Sequence, residues 1–219
     1  MTSVKGPRRR TTTEELVAAA ITIADREGVE ALTIRAVAAA IGLTPMAIYR
    51  HVRDKDELLD RVVDAVASCI GDVEATGSWR ERVVGLMRGC RDVLLAHPGV
   101  ASLSMSRPTA VAGVARFFDR VIEAFQDGGF DGIEAVRALD TMLMFLFGSV
   151  LWQIPRSETE RERLVAIAGE DPEGTRHIAE QAAELSRRDP DEYFEHGLET
   201  ILAGLETRCA EGRLRRGGR

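Results

Sequence analysis

The sequence predicts an all-α chain, and three observations carry that prediction. Apolar residues recur at three- and four-residue spacing in every strongly patterned segment, as one face of a helix requires. Ser, Thr or Asp stands repeatedly just ahead of those segments, with Gly or Pro just behind them. The composition agrees: Ala, Leu, Val, Glu and Arg dominate and only 5% of residues are aromatic, which favours helix over strand.

Taken in order, Thr12 and Glu15 have capping-box spacing ahead of Leu16, Val17, Ala20, Ile23 and Ala24, and Gly28 supplies a stop. Thr33 caps a second helix from Ile34 to Ile41, closed by Gly42. Thr44 caps a third, with Pro45 at the first helical position, where a missing N–H costs nothing; it is expected to run to about Val52. Asp54 and Glu57 form another capping box and open a helix carrying Leu58, Leu59, Val62, Val63 and Val66 towards Gly71. The stretch Gly71 to Ser78 (GDVEATGS) reads as a domain joint.

Six further helices are expected. Ser78 and Glu81 cap one that ends at Pro98-Gly99, and a short one covers about Val100–Ser106. Thr109–Asp127 and Gly132–Trp152 follow, the latter the most apolar. Arg156–Arg188 is Glu/Arg-rich and broken near Gly169–Pro172; Pro190–Arg208 is amphipathic. The expected domains are 1–60, a connecting helix and joint at 61–78, a regulatory domain at 79–208, and a flexible tail at 209–219.

Charge divides the chain. Residues 1–55 carry nine Lys/Arg against six Asp/Glu, a balance of +3, and the remainder is -9 for a whole-chain charge of -6. A basic head on an acidic body fits a nucleic-acid-reading module joined to a separate regulatory one. The three cysteines, Cys69, Cys90 and Cys209, form no CxxC pair and suggest a reducing cytoplasm. The N-terminal MTSVKGPRRR lacks the apolar core of a signal peptide. The apolar run Met142–Ile154 is interrupted by Gly148, Ser149 and Gln153; it reads as a buried helix too short to span a bilayer, so no membrane partner is expected.

A helix, a Gly42 turn and a second helix at this spacing define a helix-turn-helix, whose second helix lies in the DNA major groove. Short helical hairpins also occur in ordinary bundles, so spacing alone leaves both readings open. The residues go further. LTIRAVAAAIGLTPMAIYRHVRDKDELLD, from Leu32 to Asp60, resembles the N-terminal signature of tetracycline-repressor (TetR) family regulators nearly position for position, including Gly42, Tyr49, His51, Val52 and the Lys55-Asp56-Glu57-Leu58-Leu59 start. The resemblance covers roughly residues 10–60 and implies an N-terminal three-helix DNA-binding domain, followed by a C-terminal helical ligand-binding and dimerisation domain.

Roles follow from side-chain chemistry and from the family. Thr44 and Pro45 open the recognition helix, whose N-terminal amides favour a phosphate. Met46 and Ala47 suit thymine methyl groups. Tyr49, Arg50 and His51 offer hydrogen bonds to phosphate or, for Arg50, a bidentate contact to guanine. The resemblance implies backbone contacts from Thr33, Arg35 and Lys55. Arg8-Arg9-Arg10 is either a solvated tail or an arm adding phosphate contacts.

The C-terminal stretches WRERVVGLMRGCRDVLLAHPGVASLSMSRPT, DGGFDGIEAVRALDTMLMFLFGSVLWQ and FEHGLETILAGLE are similar to the tetracycline-repressor type of regulatory domain, over roughly residues 79–206. This implies a homodimer through residues 132–152 and 190–208, matching a palindromic operator on double-stranded DNA. It also implies a small-molecule inducer whose pocket includes Leu86, Cys90, Leu103, Ser106, Phe118, Val121, Val136, Leu139 and Leu143; these residues are otherwise ordinary core. Asp140 is either a polar anchor for that ligand or a solvated or interfacial carboxylate.

One departure matters. Leu103 stands where tetracycline repressors place a metal-coordinating His before the Arg-Pro pair (Arg107-Pro108 here), and the family's other His falls near Gly71. His51, His97, His177 and His196 share no ligand spacing, so neither a metal nor a cofactor is expected, and the inducer is expected to be apolar. No phosphate loop, nucleophile elbow or catalytic triad pattern argues for an enzyme. An all-α adaptor would not explain the basic head or the Leu32–Asp60 run. The expectation is a ligand-released, cytoplasmic repressor.

Overall fold

Helix α1 (Thr13–Glu27) opens on a complete capping box: the Thr12 hydroxyl accepts from the Glu15 N–H at 3.3 Å, and Glu15 accepts from the Thr12 N–H at 3.4 Å. The computed structural model describes residues 12–71, 76–106, 110–153, 158–171, 173–186 and 189–217. Arg8-Arg9-Arg10, Arg107-Pro108 and the middle of the expected joint lie outside the described residues. All regular structure among the described residues is helical.

After α1, Gly28 turns the chain with φ +86°, and a single 3-10 turn leads to α2 (Ile34–Ala40). Thr33 caps α2, its hydroxyl accepting from the Ala36 N–H at 3.1 Å. Gly42, at φ +69°, reverses the chain into α3 (Pro45–Ile48), and α4 (Lys55–Gly71) follows. Helix α3 is shorter than expected. From Tyr49 to Val52 the chain tightens, with the His51 N–H donating to the Ile48 carbonyl at 2.8 Å; such three-residue bonds often end a short helix. The tightening brings Asp54 to the start of α4, where its carboxylate accepts from the Glu57 N–H at 2.8 Å. Glu57 does not complete the expected box on Asp54. It accepts instead from the N–H of Arg53 at 2.8 Å.

The chain continues through α5 (Trp79–Ala96), α6 (Pro98–Ser106), α7 (Ala112–Asp127) and α8 (Gly132–Gln153). Three short helices follow, α9 (Glu158–Glu170), α10 (Arg176–Glu180) and α11 (Ala182–Ser186), before α12 (Pro190–Gly217). Helix α12 runs past the expected end at Arg208, because Ala210, Glu211, Arg213 and Leu214 favour helix and Gly212 alone does not stop it.

Two compact units result, and they interleave in sequence. The first comprises residues 1–74 and 92–119; the second comprises 75–91 and 120–219. The expected cut near residue 60 therefore differs from the observed division. The reason is packing: Val100 and Leu103 of α6 are buried in one core cluster with Leu16, Ala20, Leu32, Ile48, Leu58 and Val62. Asp64 of α4 also accepts from the Gly113 N–H at the start of α7, at 2.7 Å.

In the second unit Trp79 packs on Phe125 and Phe130, with ring centroids 6.0 and 5.5 Å away. Ala135, Ala138, Leu139, Met142, Leu146 and Val150 form the buried stripe of α8, which packs with α12. Phe145 stacks on Phe194 at 5.5 Å, and a Cβ on Gly197 would lie 2.5 Å from the Phe145 ring. Arg80, Arg88 and Arg91 of α5 pair with carboxylates of α12 in antiparallel order: Arg80 with Glu206 and Glu199, Arg88 with Glu195, Arg91 with Asp191. At 22 residues, with an 18-residue stretch of mean hydropathy 1.4, α8 is long and apolar enough to cross a membrane. The apolar run Met142–Ile154 alone is shorter than this helix, since Ile133 to Leu139 extend it. Its buried stripe against α12 is that of a bundle helix.

Candidate nucleic-acid interface and regulatory residues

The candidate DNA surface is built on one buried anchor. Ile48 is 0% exposed in the core of the first unit, so the other faces of a four-residue helix must point outwards. Met46 is 71% and Tyr49 50% exposed, so both side chains are accessible on this surface. Thr44, Pro45 and Arg50 are exposed and Ala47 is half-buried. Thr44 makes no side-chain capping bond, which leaves its hydroxyl to other partners. On α2 the situation is reversed. Thr33 is exposed, but its hydroxyl is engaged as the cap, whereas the Arg35 side chain extends into solvent.

His51 is half-buried, and its Nδ1 lies 3.3 Å from the Thr13 hydroxyl at the start of α1. The imidazole thus ties the end of the recognition turn to α1 through one nitrogen and offers the other. Thr13 was not legible as a site residue, since its partner is 38 residues away. Lys55 is exposed at the first position of α4. Its basic neighbour Arg53 is engaged by Glu57 at 2.9 Å, as is Arg61 from the other side, also at 2.9 Å. The Arg53 N–H, the Arg53 guanidinium and then Arg61 pull the Glu57 carboxyl down from 4.5 to about 2. Glu57 thus keeps Arg53 occupied and leaves Lys55 as the cation presented there.

The expected inducer residues divide between the two units. Leu86, Cys90, Val121 and Leu139 are buried in the second, where burial pushes the Cys90 thiol up to about 12 and keeps it protonated. Leu143 is half-buried there, while Val136 is 45% exposed on α8. Leu103, Ser106 and Phe118 belong to the first unit, with Leu103 in its core cluster, Phe118 half-buried and Ser106 at the surface. Asp140 is exposed. In the second unit a groove of about 450 Å³ lies between the end of α8 and the start of α12, lined by Met144, Phe145, Trp152, Pro190, Tyr193 and Phe194 among others. None of the expected inducer residues lines it. Among the described residues no three His, Cys, Asp or Glu side chains cluster as metal ligands.

Residues 16–62 match the profile of the tetR family of bacterial regulatory proteins, and residues 73–209 match the tetracyclin repressor-like C-terminal domain. The HTH-type transcriptional repressor DrrR1 of Streptomyces coeruleorubidus is 30% identical over 226 residues, covering 95% of this chain and 82% of that protein. The apo structure of ActR from Streptomyces coelicolor superposes with a TM-score of 0.82 at 27% identity, covering 94% of this chain and all of that one. ActR in complex with actinorhodin superposes with a TM-score of 0.80 at 27% identity, over 92% of this chain and 99% of that one.

Proposed function

Because this chain belongs to the TetR family of bacterial transcriptional regulators, we propose that it is a cytoplasmic, homodimeric repressor released from a palindromic operator by a small apolar molecule. One observation carries the reading: a helix anchored by Ile48 presents Met46, Tyr49 and Arg50 to solvent, and the flanking helices α2 and α4 carry the exposed cations Arg35 and Lys55. Phosphate contacts position such a head, and base-edge contacts from the recognition helix specify sequence. Exposed Ile133, Val136, Met144 and Leu151 on α8 support a dimer through α8 and α12, since they leave apolar surface for a second copy to cover. The apolar character of Leu86, Val121 and Leu139 supports an apolar inducer, and ActR, a structural relative, binds actinorhodin. The chain acts by binding, without catalysis.

The test is selection of bound fragments from the parent genome, followed by footprinting. A palindromic site protected over two half-sites about 34–36 Å apart supports the reading. Protection of one isolated half-site, with single-copy mass in light scattering, would overturn it.

A further inference from the structure

Helices α5 and α6 are separated by one residue, His97. Its N–H closes α5 on the Val93 carbonyl at 3.1 Å, and its carbonyl opens α6 by accepting from the Ala101 N–H at 2.9 Å. The first amides of α6 need acceptors that the helix cannot supply, and the local sequence His97-Pro98-Gly99 offers no Ser, Thr, Asp or Asn. The acceptor comes from another helix. Asp25, near the end of α1, accepts from the Gly99 N–H at 3.1 Å through one oxygen and meets His97 Nδ1 at 2.8 Å through the other. The pair is sheltered, with the Asp25 side chain 18% and the His97 side chain 33% exposed.

The approach is close as well as polar. A Cβ on Gly99 would collide with the backbone carbonyl of Ala24, so only glycine lets α6 seat on α1. Helix α1 is 15 residues long, a rod of about 22 Å. Its far end holds Thr13, which meets His51 after the recognition helix. Along the first unit, then, the α5–α6 corner is fastened to one end of α1, and the recognition turn to the other.

We propose that Asp25 is a positioning residue for operator reading: it fixes the DNA-reading helices on the α5–α6 corner by serving as the missing cap of α6. The proposal rests on the reading above, in which two copies present paired heads. A head held rigidly at that corner accepts one half-site spacing. A head released from it finds each half-site but tolerates other spacings.

The experiment measures affinity of the purified full chain for four DNAs: the selected operator, the same operator with one or two base pairs inserted at its centre, and a single half-site. Each inserted pair shifts one half-site by about 3.4 Å and rotates it. The wild type should prefer the native spacing, and Asp25→Ala should narrow that preference by about tenfold, leaving half-site affinity unchanged. Asp25→Asn keeps an acceptor for Gly99 and should recover part of the preference; Gly99→Ala, which wedges the corner open, should lose it. If Asp25→Ala melts below the assay temperature, the Asn and Gly99 variants carry the comparison. Uniform weakening on all four DNAs, tracking the folded fraction seen by circular dichroism, would overturn the positioning role. A wild type indifferent to spacing would overturn the paired-head reading, and this proposal with it.

Discussion

Arg50 and Lys55 are both exposed cations in the reading head, yet their expected roles separate experimentally. Arg50 lies just past the recognition helix, where a guanidinium can read a guanine edge, whereas Lys55 at the start of α4 suits a phosphate. Arg50→Ala should therefore change which bases are preferred, measured by binding to a panel of single-base operator variants. Lys55→Ala should weaken every sequence and reduce the slope of log K against log salt by about 0.9. Glu57 makes a prediction of a different kind. Its carboxyl titrates at about 2 against an ordinary 4.5, so the folded state favours the ionised form. A depressed carboxylate contributes stability in full above the unfolded value and loses it as pH falls through the folded one. Wild type and Glu57→Gln should differ in thermal midpoint at neutral pH and converge as pH falls from about 4.5 to 2, as read by circular dichroism melts. A gap that persists unchanged at pH 2 would assign the difference to geometry rather than charge.

At the scale of elements, legibility followed the range of the interaction. Helices α1, α2 and α5 were legible at their starts because Thr12 with Glu15, Thr33, and Ser78 with Glu81 cap them from within four residues. The early end of α3 was not legible, since no Gly or Pro marks it in the sequence and three-residue bonds from Arg50 and His51 to Ala47 and Ile48 replace the helical pattern there. The cap of α6 was not legible either, because Asp25 lies 74 residues from the amide it caps. Gly42 is a local signal of the opposite quality. Its φ of +69° is a conformation that side chains with a Cβ disfavour, and nothing lies within 4 Å of an added Cβ. Strain alone should therefore set the cost: Gly42→Ala is expected to lose about 1–2 kcal/mol of stability, measured by urea titration. A neutral substitution would mean that the turn has another conformation.

The whole molecule was legible as two helical halves with a basic head, but not as two units sharing stretches of chain. Periodicity places Val100 and Leu103 on an apolar face without saying which core receives it; the structure buries them with α1 and α4. For the same reason the dimer is best tested away from the core. Leu198 and Leu202 look like seam positions by period, yet both are 0% exposed within the single chain, so a charge there would unfold the unit whether or not a second copy is bound. Met144 is 76% exposed on α8. Met144→Glu should leave a cooperative melt intact while lowering the mass in light scattering from two chains to one, because burying an unpaired carboxylate between copies is costly. A variant that remains dimeric would move the interface elsewhere.

The seam between α5 and α12 also sets a register. Glu195 and Glu199 are one helical turn apart, so a slide of α12 by about 5.4 Å would bring new carboxylates opposite Arg88 and Arg91. At those two positions charge tolerates the slip, although Arg80 would then face Ala203 and Ala210. Shape does not tolerate it: the ring of Phe145 occupies the space a side chain at Gly197 would need, and a one-turn slip would present Tyr193 or Ile201 to that ring instead. Three arginines give the two helices adhesion, and one missing methyl group tells them where to stop.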